Sequence, residues 1–183
     1  MHPILIPYAL TALLVAFNAG GRTTQERTAL WLAAWGALLI VLWAIIFRTI
    51  ASDTARYYAA FLIIRDLPFT EMLTYRGENV LFASFNWTIG QLGENVRWLT
   101  GSTVLVVVVA LFYALRQMFT PYQTSLLLFI YSAYPYLIGF IASGLKQGLS
   151  LAFLLIGFIL LYQRRKVGWV WLLVAPLWHS GSW

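Results

Sequence analysis

Cysteine is absent from the 183 residues, and charge is scarce: 10% of the side chains are Asp, Glu, Lys or Arg, six are acidic, and there are two histidines. Without cysteine there is no disulfide scaffold, thiol nucleophile or thiolate metal site. So little charge also excludes a disordered segment, and it falls well short of the roughly 25% typical of soluble domains. Metal and nucleotide motifs are missing too: no HExxH, no Gly-rich phosphate loop, no His/Asp/Glu cluster at ligand spacing. Neither a metal nor a cofactor is therefore expected. What the chain does have is apolar surface, with 61% hydrophobic and 17% aromatic residues and a mean hydropathy of +0.78. A soluble core in so short a chain cannot hide that much, so lipid is the expected solvent. The net charge of +6 is scattered rather than massed, which fits a membrane protein and argues against nucleic acid.

Runs of about 20 apolar residues, enough for a transmembrane helix, lie at Pro3 to Ala19, Ala29 to Phe47, Leu99 to Leu115, Pro121 to Ala142 and Leu145 to Gln163. A sixth starts at Val167 and is still apolar at Trp183, so the chain reads as the leading part of a longer protein. The expected fold is an all-α polytopic bundle of about six spans forming one membrane domain over residues 1–183. Residues 48–98 differ, holding five of the six acids and five arginines, and are expected to form a polar extracytoplasmic insertion. Within it, Val80 to Gly93 is too short for a crossing and predicts an interfacial or re-entrant helix. Residues 53–67 predict a helix along the headgroups, with apolar Tyr57, Tyr58, Phe61, Leu62 and Ile64 about a turn apart. Basic residues in the short loops set the orientation. With the N-terminus outside, Arg22, Arg27, Arg116, Arg164, Arg165 and Lys166 fall inside, and Asp53, Glu71, Glu78, Lys146 and His179 share the outer face.

Ionisable groups at membrane depth cost about 2.5 to 3.5 kcal/mol at a helix centre and are functional candidates by default. Lys146 sits in Ser143-Gly144-Leu145-Lys146-Gln147-Gly148, in the expected first turn of a helix. A cation opposes the dipole there, which makes sense if the site holds something strongly negative such as a diphosphate; a boundary lysine that snorkels meets the same description. His179, followed by Ser180, ends the last apolar run. Its imidazole suits proton transfer or orientation of a hydroxyl, and equally an interfacial hydrogen bond. Asp53, just after the second span, and Glu71 and Glu78, flanking Tyr75-Arg76-Gly77, could accept a proton or position a substrate. Solvated ion pairs with the five arginines would also account for most of these acids.

The ordered set is more specific than any member. RTIASDTARYYAAF (48–61), Glu71, RGENVLFASFNWTIGQL (76–92), SGLKQGLSLAFLL (143–155) and APLWHSGSW (175–183) resemble the EpsG family of Wzy-like bacterial polysaccharide polymerases. Asp53 and Tyr57 match that family's Asp-x-x-x-Tyr element, Glu71 and Glu78 its acidic stretch, Lys146 and Gln147 its Arg-Gln turn, and His179 and Ser180 its His-Ser pair. Two departures stand out: Asn79-Val80 follows Glu78 in place of Pro-Gly, and Lys146 replaces arginine, keeping the charge but losing the bidentate fork.

The resemblance implies a membrane glycosyltransferase-like polymerase of the bacterial inner membrane, active on its outer face. It would join oligosaccharide repeats carried on undecaprenyl diphosphate, using a hydroxyl of the incoming repeat as acceptor. Lys146 would bind the diphosphate, assisted by Arg48, Arg56 or Arg76; Gln147, Glu71, Tyr57 and Ser180 would contact substrate; His179, Asp53 and Glu78 compete as base. Membrane lipid, the lipid-linked oligosaccharide and polysaccharide assembly proteins are the implied partners. A ligase, a flippase for the lipid-linked sugar and a non-catalytic assembly component are the alternatives.

Overall fold

The computed structural model describes residues 24, 25, 28, 31, 32, 34–36, 38–40, 52–75, 78–132 and 144–179, and every regular element among them is an α-helix. In chain order these are α1 (Ser52–Arg65), α2 (Phe69–Leu73), α3 (Val80–Gly90), α4 (Arg97–Arg116), α5 (Pro121–Ser132), α6 (Leu145–Tyr162) and α7 (Gly168–Trp178). At 1.5 Å per residue, α4 and α6 match a hydrocarbon core of about 30 Å, and both are apolar enough to cross it. Leu105 and Val109 of α4 and Leu151 and Phe158 of α6 are exposed, as lipid-facing residues would be.

The other expected spans are seen less fully. Pro3 to Ala19 lies outside the described residues, and the described residues between 29 and 47 are helical. Helix α5 accounts for 12 residues of its expected span. The last apolar run forms only the 11 residues of α7, which stops at Trp178 with Pro176 in its final turn. Proline has no N–H to give the ladder, and His179 then continues as extended chain. The freed end is not left bare: Ser150 Oγ of α6 donates to the Ala175 carbonyl at 3.0 Å.

The polar insertion does not stand apart from the spans. Helix α3 packs one face into the bundle, with Phe82, Ala83, Asn86 and Ile89 buried, and leaves Val80 and Thr88 exposed. Tyr57 and Phe61 of α1, Phe82 of α3, Leu99 and Val104 of α4 and Leu145 and Leu149 of α6 form one continuous core. The outward-facing residues of α1 include Arg56, as expected for a helix with its arginines turned away from the core. At the far ends of α1 and α3, Gln91 Nε2 donates to the Arg65 carbonyl at 3.3 Å and Trp87 Nε1 to the Leu67 carbonyl at 3.0 Å. Arg65 also pairs with Asp66 and Glu94. Burial works against its guanidinium, and the two carboxylates outweigh that, holding it above its ordinary value. Both carboxylates are well exposed, so these pairs add little stability.

Helices α6 and α7 pack as a close hairpin through Gly157 and Gly168. The turn is closed by Arg164 in the left-handed region at φ 60°, its N–H donating to the Leu161 carbonyl at 2.8 Å. A Cβ on Gly168 would lie 2.6 Å from the Gly157 carbonyl oxygen and 2.9 Å from the Leu161 nitrogen. Both are backbone atoms that cannot move aside alone. Gly168→Ala is therefore expected to destabilise the protein by roughly 1–3 kcal/mol, the usual range for overpacking. A thermal melt of the purified variant in detergent checks this, and an unchanged midpoint would show that the hairpin yields.

Candidate functional site

Helix α6 opens at Gly144, which has no side chain to cap the first turn. Lys146 is the second helical residue and is buried, 8% exposed. Its ammonium meets the Glu78 carboxylate, Nζ to Oε2 at 2.6 Å; the two side chains are 10% and 2% exposed. Glu78 lies in the bend just before Asn79, the residue preceding α3. A carboxylate at the start of α6 compensates both the lysine and the positive end of the helix dipole.

Two aromatic rings complete the enclosure. Lys146 Nζ lies 5.4 Å from the Tyr57 ring centroid and 5.7 Å from that of Phe82, within range of cation–π attraction. The rings meet edge to face, 5.7 Å apart at 68°. Arg56 contacts the same tyrosine, Cζ 5.5 Å from its centroid. The next residue, Tyr58, pairs its hydroxyl with Thr100 Oγ1 at 3.1 Å, tying α1 to α4.

Four of the sequence-predicted residues, Lys146, Glu78, Tyr57 and Arg56, thus come together from α1, the bend before α3 and the start of α6. Glu71, on α2, and Gln147 are exposed. Asp53 is in the first turn of α1, its side chain outside the described residues, as are Arg48, Arg76 and Ser180. His179 is half-buried and follows Trp178, whose ring stacks on Phe153 of α6 and meets Phe85 of α3 edge to face. Among the described residues no three His, Cys, Asp or Glu side chains could hold a metal ion.

Two residues escaped the sequence reading. Phe82 lies in the first turn of α3, four residues after Glu78, and no sequence signal marked its contact with the ammonium. Asn86, a further turn on, is fully buried, and neither carboxamide atom has a hydrogen-bond partner. An unsatisfied buried polar group costs about 1–3 kcal/mol, so Asn86→Leu is expected to raise the melting temperature. A fall would show that the carboxamide has a partner in the working protein.

The described residues form an all-helical fold with two helices, α4 and α6, long and apolar enough to cross a membrane, and a buried, aromatic-walled ion pair at the start of α6. The EpsG family model matches residues 32–182, and the chain belongs to the EpsG family. Membership is consistent with a role in polysaccharide assembly. No curated protein matches the chain, and no solved structure does.

Proposed function

We propose that this protein is a polysaccharide polymerase of the bacterial inner membrane, working at the outer face of a multi-span bundle on oligosaccharides linked to undecaprenyl diphosphate. One observation carries the reading: a buried ammonium, Lys146, is held beside a carboxylate, Glu78, and between two aromatic rings. The reaction needs both charges. As the bond from the anomeric carbon to the diphosphate oxygen breaks, the leaving group keeps the electron pair, and Lys146 stabilises the charge that develops. The acceptor hydroxyl oxygen bonds to the anomeric carbon, and its proton passes to Glu78. Glu78 is the candidate base that lies beside Lys146, with His179 and Asp53 as the other candidates.

The lipid end of the substrate also has somewhere to go. Phe153 and Ile156 of α6, seven and ten residues past Lys146, line an apolar groove of about 610 Å³ with Leu105, Val109 and Tyr113 of α4 and Trp171 of α7. At 1.5 Å per residue it lies about 10–15 Å along α6 from the charged site, an arrangement that suits an anionic head with an isoprenoid tail. A flippase would need polar contacts along the crossing. Between their ends, α4, α6 and α7 carry no charged residue besides Lys146 near the start of α6.

The test is purified full-length protein given a synthetic polyprenyl diphosphate-linked repeat without added metal. Longer saccharides are the expected product, and their absence from an active-site-intact, folded preparation would refute the assignment.

A further inference from the structure

We infer that Glu78 is the resident anion of the Lys146 site, exchanged for the diphosphate when substrate binds and thereby released to act on the acceptor hydroxyl. The inference rests on the polymerase reading and adds its regulation. Lys146 cannot be left alone: a buried charge without a partner costs several kcal/mol, so something negative must stand beside it before substrate arrives. The geometry gives that place to Glu78, 2.6 Å from Nζ with its side chain 2% exposed. A carboxylate so enclosed and so engaged is in no position to receive a proton from an incoming hydroxyl.

The two partners are anchored differently. Lys146 belongs to the first turn of α6, with neighbours Leu145 and Leu149 fully buried. Glu78 lies outside any helix, two residues before α3 begins. A backbone shift at Glu78 breaks no helical hydrogen bond, whereas a backbone shift at Lys146 would break the first turn of α6. The mobile member of the pair is therefore the carboxylate. A diphosphate brings more negative charge and more acceptor oxygens to the same ammonium, so it replaces Glu78 there favourably. Once displaced, Glu78 is an unpaired carboxylate next to the bound donor, able to take the acceptor's proton as the glycosidic bond forms. Donor binding thus creates the base, and a site without donor has none.

The test uses the full chain in phosphatidylcholine nanodiscs, titrated with farnesyl diphosphate as a short isoprenyl diphosphate probe. Glu78→Gln removes the competing charge but keeps an acceptor. If the wild-type pair is open about a tenth of the time or less, the variant binds at least about tenfold more tightly. It should also make no polymer. Because Glu78→Gln leaves Lys146 short of charge and could melt early, its thermal midpoint is read with and without probe. Farnesyl diphosphate should raise it by more than it raises wild type. Glu78→Asp, a shortened carboxylate, should show smaller shifts in the same direction. Equal or weaker binding by Glu78→Gln, with no larger thermal shift, overturns the exchange. If instead Lys146→Ala binds the probe as wild type does, the diphosphate assignment itself falls.

Discussion

Replacing Lys146 by alanine should reduce polymer formation by about 100- to 1,000-fold, the loss typical when one group stabilising a developing anion is removed. The same change should destabilise the protein by about 3–5 kcal/mol, because it leaves the Glu78 carboxylate buried without its partner. The two effects have one cause: a 2.6 Å contact between side chains that are nearly withdrawn from solvent. Activity is read as saccharide chain length and amount in cells, and stability as the midpoint of a thermal melt. Loss of stability with normal polymer would leave Lys146 a structural residue only.

The second prediction separates those effects. Exchanging both partners together, Lys146→Met with Glu78→Met, removes two buried charges at once and replaces them with side chains that pack. Buried ion pairs replaced in this way are often neutral or stabilising by about 1–4 kcal/mol. The double variant should therefore melt at or above the wild-type temperature, with Tyr57 and Phe82 closing on methionine, whose sulfur packs well against aromatic rings. It should nevertheless make no detectable polymer, having neither a cation for the leaving diphosphate nor a carboxylate for the proton. A stable, folded and inactive double variant assigns the pair to function. A stable and active one removes it from the mechanism.

Much of the architecture is legible from residue types alone. A chain 61% apolar gives helices, and the spans expected at Leu99 to Leu115 and Leu145 to Gln163 appear within two residues at each end as α4 and α6. Lys146 stood out because lipid penalises it, and its place at a helix start followed from Gly144. What one-dimensional reasoning could not supply was the pairing. Glu78 precedes Lys146 by 68 positions, and although the family resemblance singles it out from Asp66 and Glu94, nothing in the sequence says which cation it meets. Those two behave as the solvated ion pairs expected of the segment, 70% and 86% exposed on Arg65. Only tertiary packing gives Glu78 a buried cation as its partner.

Helix α3 shows the same limit from the other side. Its expected shortness matches the 11 residues observed, but length does not say what the helix packs against. In the structure it is enclosed by its neighbours, and that enclosure brings Phe82 to the ammonium and buries Asn86. The end of the last apolar run was equally hard to place, since Pro176 allows a helix to continue for a turn or to break.

The most direct test of the account is the reconstituted reaction, comparing wild type with the Lys146→Met, Glu78→Met double variant at equal folded concentration on a synthetic undecaprenyl diphosphate-linked repeat. Wild type is expected to give a ladder of longer saccharides and the double variant none. Equal ladders from both proteins, or no ladder from wild type, would contradict it.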